Sequence, residues 1–124
     1  VILDAGFLVS IDRGEDAARV MLTALHRSRT PLHTTHPVVA QVWHDGARQA
    51  RLAAFLKTVT IHALDEGRAV GRLLALARTT DVVGAHLVVV AARLRDTVLT
   101  GDTGDLNRVA DTLGTSRPPI RPWP

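Results

Sequence analysis

The sequence predicts an α/β fold: a central parallel sheet of four or five strands, covered by helices on both faces as a three-layer α/β/α sandwich. Three observations lead there. Short apolar runs of strand character alternate with longer stretches in which apolar residues recur every three or four positions. The resulting order, βααβααβααβαβ, requires crossover helices between strands and hence a parallel sheet. Two of the strand-like runs, Val1–Leu3 and Val98–Thr100, are followed by carboxylates at their C-terminal ends, the edge at which open parallel sheets collect ligands.

The elements follow in order. Val1–Leu3 reads as a short buried strand, and Phe7–Ile11 as a short apolar stretch closed by the turn cluster Asp12-Arg13-Gly14. From Glu15, residues Ala18, Met21, Leu22 and Leu25 recur at helical spacing until Pro31 stops the helix; Leu32–Thr34 forms the second strand. Thr35-His36-Pro37 is a helix start with proline in the first turn, leading into Val38, Val39, Val42 and Trp43 before a break at Gly46. Ala47–Lys57 predicts a further helix, with Leu52, Phe55 and Leu56 inward and Arg48 and Arg51 outward. Val59–Ile61 is β-branched and strand-like, and Asp65 is placed to cap a helix running through Ala77.

Val82–Leu94 is ambiguous. Its Val88-Val89-Val90 triplet favours a strand, but its length and its alanines favour a buried helix, and a helix is the prediction. Val98–Thr100 is the next strand, Asp105–Leu113 the last helix, and Ile120-Arg121 an edge strand inside an otherwise irregular Pro-rich tail, Pro118–Pro124.

The 124 residues fit one domain, 1–124, with enough length for a real core. Aromatic residues make up only 3%, so Leu, Val and Ala must fill the interior. The absence of cysteine excludes disulfides, thiolate zinc sites and cysteine nucleophiles, and is compatible with a reducing cytoplasm. No signal peptide is expected, because Val1–Val9 contains Asp4 and has no basic start. No membrane span is expected either, because the longest apolar run, Leu87–Ala92, is far too short. A formal net charge of +3 tilts the chain slightly toward polyanions such as RNA or DNA, although an Arg-rich genome accounts for the same excess.

Asp4, Asp102 and Asp105 are the candidate chemistry. Converging at one sheet edge, they would suit a hard cation such as Mg²⁺, which prefers oxygen ligands. Each also has a structural reading. Asp4 would cap the next helix, Asp102 the last one, and Asp105 would sit favourably near that helix's positive end. Asp81 reads first as an N-cap and second as an extra metal ligand. The six histidines show no paired metal-binding spacing, and His86 reads as a packed residue. No nucleophile elbow surrounds Ser10, Ser28 or Ser116, and no phosphate-binding P-loop is present.

Leu3-Asp4-Ala5-Gly6, then Asp81-Val82-Val83-Gly84-Ala85-His86, then Leu99-Thr100-Gly101-Asp102 with Asp105 resemble, in this order, the motifs of PIN domains. The nearest subgroup is the VapC-type bacterial toxin nucleases, and the resemblance covers essentially the whole chain. It implies a toxin–antitoxin ribonuclease that cuts RNA using Mg²⁺ or Mn²⁺ held by three or four acidic residues. Asp4 would bind metal directly, and Asp102 and Asp105 directly or through water. A small antitoxin would block the site, and the toxin would form a homodimer.

Two positions depart from the pattern. The second acidic position falls at Gln41, which would orient metal-bound water without adding charge; the third falls at Gly84, which supplies no ligand. Arg48, Arg51, Arg68, Arg72 and Arg78 are candidates for an RNA-facing rim, although each one singly reads better as solvated helix surface.

Two functions follow. One is a metal-dependent endoribonuclease with Asp4, Asp102, Asp105 and Gln41 as its catalytic set. The other, favoured by Gly84, is a PIN-like module that binds RNA or an antitoxin without cleavage. A phosphoacceptor receiver domain shares the fold class, but Asp4 lacks an acidic neighbour and Lys57 is misplaced for its lysine. The apolar Val38–Trp43 helix is a candidate dimer surface.

Overall fold

In the computed structural model, which describes residues 1–124, five short strands form one sheet in the order β3-β2-β1-β4-β5. They are β1 (Ile2–Leu3), β2 (His33–Thr35), β3 (Thr60–His62), β4 (Val98–Thr100) and β5 (Ile120–Pro122), and every pairing is parallel. Seven α-helices connect them: α1 (Ala5–Arg13), α2 (Asp16–Arg27), α3 (His36–Val42), α4 (Ala50–Leu56), α5 (Gly67–Ala77), α6 (Val82–Leu94) and α7 (Thr103–Asp111).

The chain steps outward from β1 through β2 to β3, then returns to place β4 on the other side of β1. Right-handed crossovers in opposite directions put their helices on opposite faces. Accordingly α1 packs with α2, α3 and α4, whereas α5, α6 and α7 pack with one another. The strand order reverses between β1 and β4, and that switch point is where α/β sheets open a crevice beyond the strand ends.

Helices on both faces explain the composition of the central strands. Ile2, Leu3 and Val98 are completely buried, as expected for strands covered on both sides. The Val82–Leu94 ambiguity resolves the same way. Ala85, Leu87, Val88, Val90 and Ala91 of α6 are all buried, so the segment is apolar nearly all round because it is a core helix.

Several elements differ from the sequence reading. Phe7–Ile11 lies inside α1, which starts directly after Asp4 and ends at Gly14, whose φ of 67° is the left-handed conformation glycine tolerates. Phe7, Leu8 and Ile11 form the buried face, Ile11 lying one helical turn beyond the adjacent Phe7 and Leu8. α4 starts at Ala50 rather than Ala47, because the buried Gln49 organises the preceding turn. Its Oε1 accepts from the His44 and Asp45 amides at 2.7 and 2.9 Å, and its Nε2 donates to the Val42 carbonyl at 2.8 Å. Glu66, not Asp65, is the cap of α5, without a side-chain cap bond. α7 begins at Thr103, two positions ahead of expectation, because Asp102 caps it.

The Pro-rich end is less irregular than its composition suggests. β5 pairs with β4, and the Trp123 amide donates to the Thr100 carbonyl at 2.7 Å. The buried Trp123 ring meets Phe7 edge-on at 4.8 Å. Within the α3 segment Val38 and Val42 face inward, while Ala40, Gln41 and Trp43 just beyond the helix are exposed. No single helix is long and apolar enough to cross a membrane.

Candidate active site

Asp4 is the only residue between β1 and α1. With extended backbone geometry it serves as the N-cap of α1, and its Oδ1 accepts from the Ala5 amide at 2.7 Å. The pairing of Ile2 with Val98 and Leu3 with Leu99 brings Asp4 level with Thr100 on the neighbouring strand. The Thr100 hydroxyl donates to Asp4 Oδ2 at 2.7 Å and accepts from the Asp102 amide at 2.9 Å. Thr100 itself is almost fully buried. Asp4 and Asp102 therefore share one edge of the sheet, at the switch point, joined through a threonine that sequence reasoning did not single out.

Asp102 caps α7, its Oδ1 accepting from the Asp105 amide at 3.4 Å. Asp105 is exposed in the first turn, with Arg108 Nη2 3.8 Å from its Oδ1. Across from them, α6 packs on α7. Asp81 caps α6 by accepting from the Gly84 amide at 3.0 Å. The capping roles anticipated for Asp4, Asp81 and Asp102 are thus all present.

Gly84 is buried against α7 and carries the main departure. A Cβ at this position would lie 2.4 Å from Asp81 Oδ2 and 3.1 Å from Leu106 Cδ2. The Asp81 carboxylate therefore occupies the space through which a side chain at position 84 would leave the helix. Gln41 is exposed on the last turn of α3, an element that carries none of the four acids.

The donor set does not fit a tightly held divalent cation in this arrangement. No group of three or more His, Asp or Glu side chains is gathered closely enough to hold a metal ion. The carboxylates that share the edge are engaged instead as caps and as partners of Thr100, and Gly84 contributes no oxygen. What the arrangement does provide is an acidic, hydrogen-bonded rim at the ends of β1, β4 and α6.

Of the histidines, His86 is completely buried on α6, and neither ring nitrogen makes a well-formed hydrogen bond. Burial lowers its pKa, and the nearby Ala63 backbone offsets only part of that. It is a packed residue, as anticipated. Of the arginines named as rim candidates, Arg48 pairs with Asp45, Arg51 donates to the carbonyl of Asp12 on α1, Arg68 and Arg72 lie on α5, and Arg78 is that helix's C-cap.

No protein-family model matches the chain, and no curated protein matches it in sequence. In three dimensions it is similar to a chain in the crystal structure of VapBC2 from Rickettsia felis bound to a DNA fragment from their promoter. The TM-score is 0.70, the match covers 99% of this chain and 98% of that one, and sequence identity is 15%. The PIN-like α/β fold expected from the sequence is thereby shown; at this identity the likeness speaks for the fold.

Proposed function

We propose that this chain is a PIN-fold protein of the toxin–antitoxin ribonuclease type, with its working edge at the C-terminal ends of β1 and β4. The observation that carries the reading is the placement of Asp4 and Asp102 at the switch point of the sheet, joined through buried Thr100. The structural neighbour, a VapBC2 complex, supports an antitoxin-like protein as partner. RNA is the proposed substrate class, consistent with the net positive charge. The same reading places a homodimer in a reducing cytoplasm.

Hydrolysis of an RNA phosphodiester in such a site would draw on Mg²⁺ or Mn²⁺ as Lewis acid and source of activated water. Because the carboxylates here do not close around a cation, the reading includes impaired cleavage, and no step is assigned through the metal. Asp4 and Asp102 would define the edge, Asp105 and Gln41 would flank it, and Asp81 would serve chiefly as a cap. A second reading, a module that binds RNA or an antitoxin without cutting, is favoured by one observation: the Asp81 carboxylate filling the space beside Gly84.

The test is RNA cleavage with and without Mn²⁺ or Mg²⁺, using this chain, Gly84→Asp and Asp4→Ala. Weak metal-dependent cleavage that Gly84→Asp enhances and Asp4→Ala abolishes is the expected result. Cleavage only by Gly84→Asp would select the non-cutting module. Absence of cleavage and of RNA binding by every variant would overturn the ribonuclease-type reading.

A further inference from the structure

On the β3 side of the sheet, away from the acidic edge, three half-exposed polar side chains from three different elements form a continuous relay. Arg93 of α6 donates from Nη2 to His62 Nδ1 of β3 at 3.3 Å. His62 Nε2 lies 2.9 Å from His33 Nδ1 of β2, with the two rings tilted and their centroids 5.1 Å apart. Arg93 also forms an ion pair with Glu66, the residue that caps α5.

The direction of this relay is fixed by chemistry. An arginine has only N–H donors, so His62 Nδ1 must be the acceptor and carry no proton. The single hydrogen of a neutral His62 then sits on Nε2 and is donated to His33 Nδ1. His33 in turn carries its hydrogen on Nε2. Only the doubly neutral pair in this one tautomeric arrangement makes both bonds. A second proton on His62 Nδ1 would face the Arg93 cation, and one on His33 Nδ1 would face the Nε2–H of His62.

We propose that this relay is an acid-operated latch, fastening edge strand β3 to β2 and α6 at neutral pH and releasing when either imidazole takes up a proton. β3 is the outermost strand on its side, held on the sheet only by its three-residue pairing with β2, so a side-chain fastening there has leverage. The charges facing the pair are few. His33 faces His62, the Val1 amino group and Asp96 from the α6–β4 connection. His62 faces Arg93 from α6 and Asp65 from the β3–α5 connection, with His33 on β2 and His86 on α6 also near. Burial, then the mutual proximity of the rings, lowers the pKa of His33; burial, then Arg93, lowers that of His62. Asp96 and Asp65 oppose these effects only in part.

The latch is independent of the ribonuclease reading and is tested without RNA. Nitrogen-resolved NMR of the histidine rings of the full chain is followed from about pH 8 to about pH 5, alongside amide exchange of β3 corrected for intrinsic rates. At the upper end, His62 should be protonated at Nε2 and bare at Nδ1. Both rings should titrate below the ordinary value of about 6.5. β3 exchange should quicken at least about tenfold through the same range. Arg93→Met should raise the His62 midpoint and mix its tautomers, and His33→Asn should remove the acid-dependent quickening. A hydrogen on His62 Nδ1 at neutral pH, an ordinary midpoint, a midpoint unmoved by Arg93→Met, or β3 exchange indifferent to acid would each overturn the proposal.

Discussion

The Thr100 hydroxyl donates to Asp4 at 2.7 Å while it accepts from the Asp102 amide at 2.9 Å, so one buried side chain couples the two acid-bearing strand ends. Thr100→Val keeps the shape but removes both bonds, leaving a carboxylate oxygen and an amide without protein partners. A loss of about 2–3 kcal/mol is expected, read as a lower urea midpoint at unchanged slope. Thr100→Ser should recover most of it. A loss in Thr100→Val no greater than in Thr100→Ser would mean the hydroxyl contributes nothing.

Asp81 and Gly84 form a coupled pair. Asp81→Ala removes a cap and should cost about 1 kcal/mol. Gly84→Ala gains roughly 1 kcal/mol of helix propensity, but its Cβ must displace the Asp81 carboxylate that now lies 2.4 Å from that position. The two effects should nearly cancel, and Asp81→Ala should then cost little more in the Gly84→Ala background. A double-mutant cycle by thermal or urea unfolding checks this; strictly additive changes would show that the cap survives a side chain at position 84.

Gln49 should be among the costlier polar residues to replace. It is buried and satisfies two backbone amides and one carbonyl within a single turn. Gln49→Leu strands those groups, so a loss on the order of 3 kcal/mol is expected, with faster amide exchange at His44 and Asp45. Unchanged exchange at these amides would show that water replaces the side chain without cost.

His86 offers a pH-dependent test with a definite sign. Burial lowers its folded pKa below the unfolded value of about 6.5, so the unfolded chain binds the proton more readily. Its contribution to stability is therefore fully present above about pH 6.5 and is lost as pH falls through the lower folded midpoint. His86→Leu should reduce the slope of stability against pH in that range. It should also raise stability near neutrality by about 1 kcal/mol, because poorly partnered ring nitrogens are removed from the core. Denaturation of both proteins at two pH values decides; an unchanged slope would exclude His86 as a source of acid sensitivity.

Much of the architecture was legible in the chain because strands and helices impose different periods on apolar residues. The bounds of α6 and β4 emerged as expected, and so did the meeting of Asp4 and Asp102 at one edge. α1 was obscured because Phe7–Ile11 is too short a window to separate the two periods, and no loop announces the helix. The edge strand at Ile120-Arg121 was legible and is present as β5, whereas the burial of Trp123 was masked by the prolines around it. Thr100 and Gln49 were missed for another reason: a threonine at a strand end or a glutamine among polar neighbours carries no sequence mark of burial. Cation-holding geometry was beyond reach as well, because order along the chain places acids on an edge but does not set the distances between their oxygens.

The single-residue junction at Asp4 has a consequence for any ligand. The backbone on one side is stitched into β1 and on the other is wound into α1, so the carboxylate has no tether with which to travel. A phosphate, a cation or a partner's arginine must be delivered to Asp4. Any tolerance for different visitors then resides at the starts of α6 and α7, where Asp81, Asp102 and Asp105 stand on first turns that can fray.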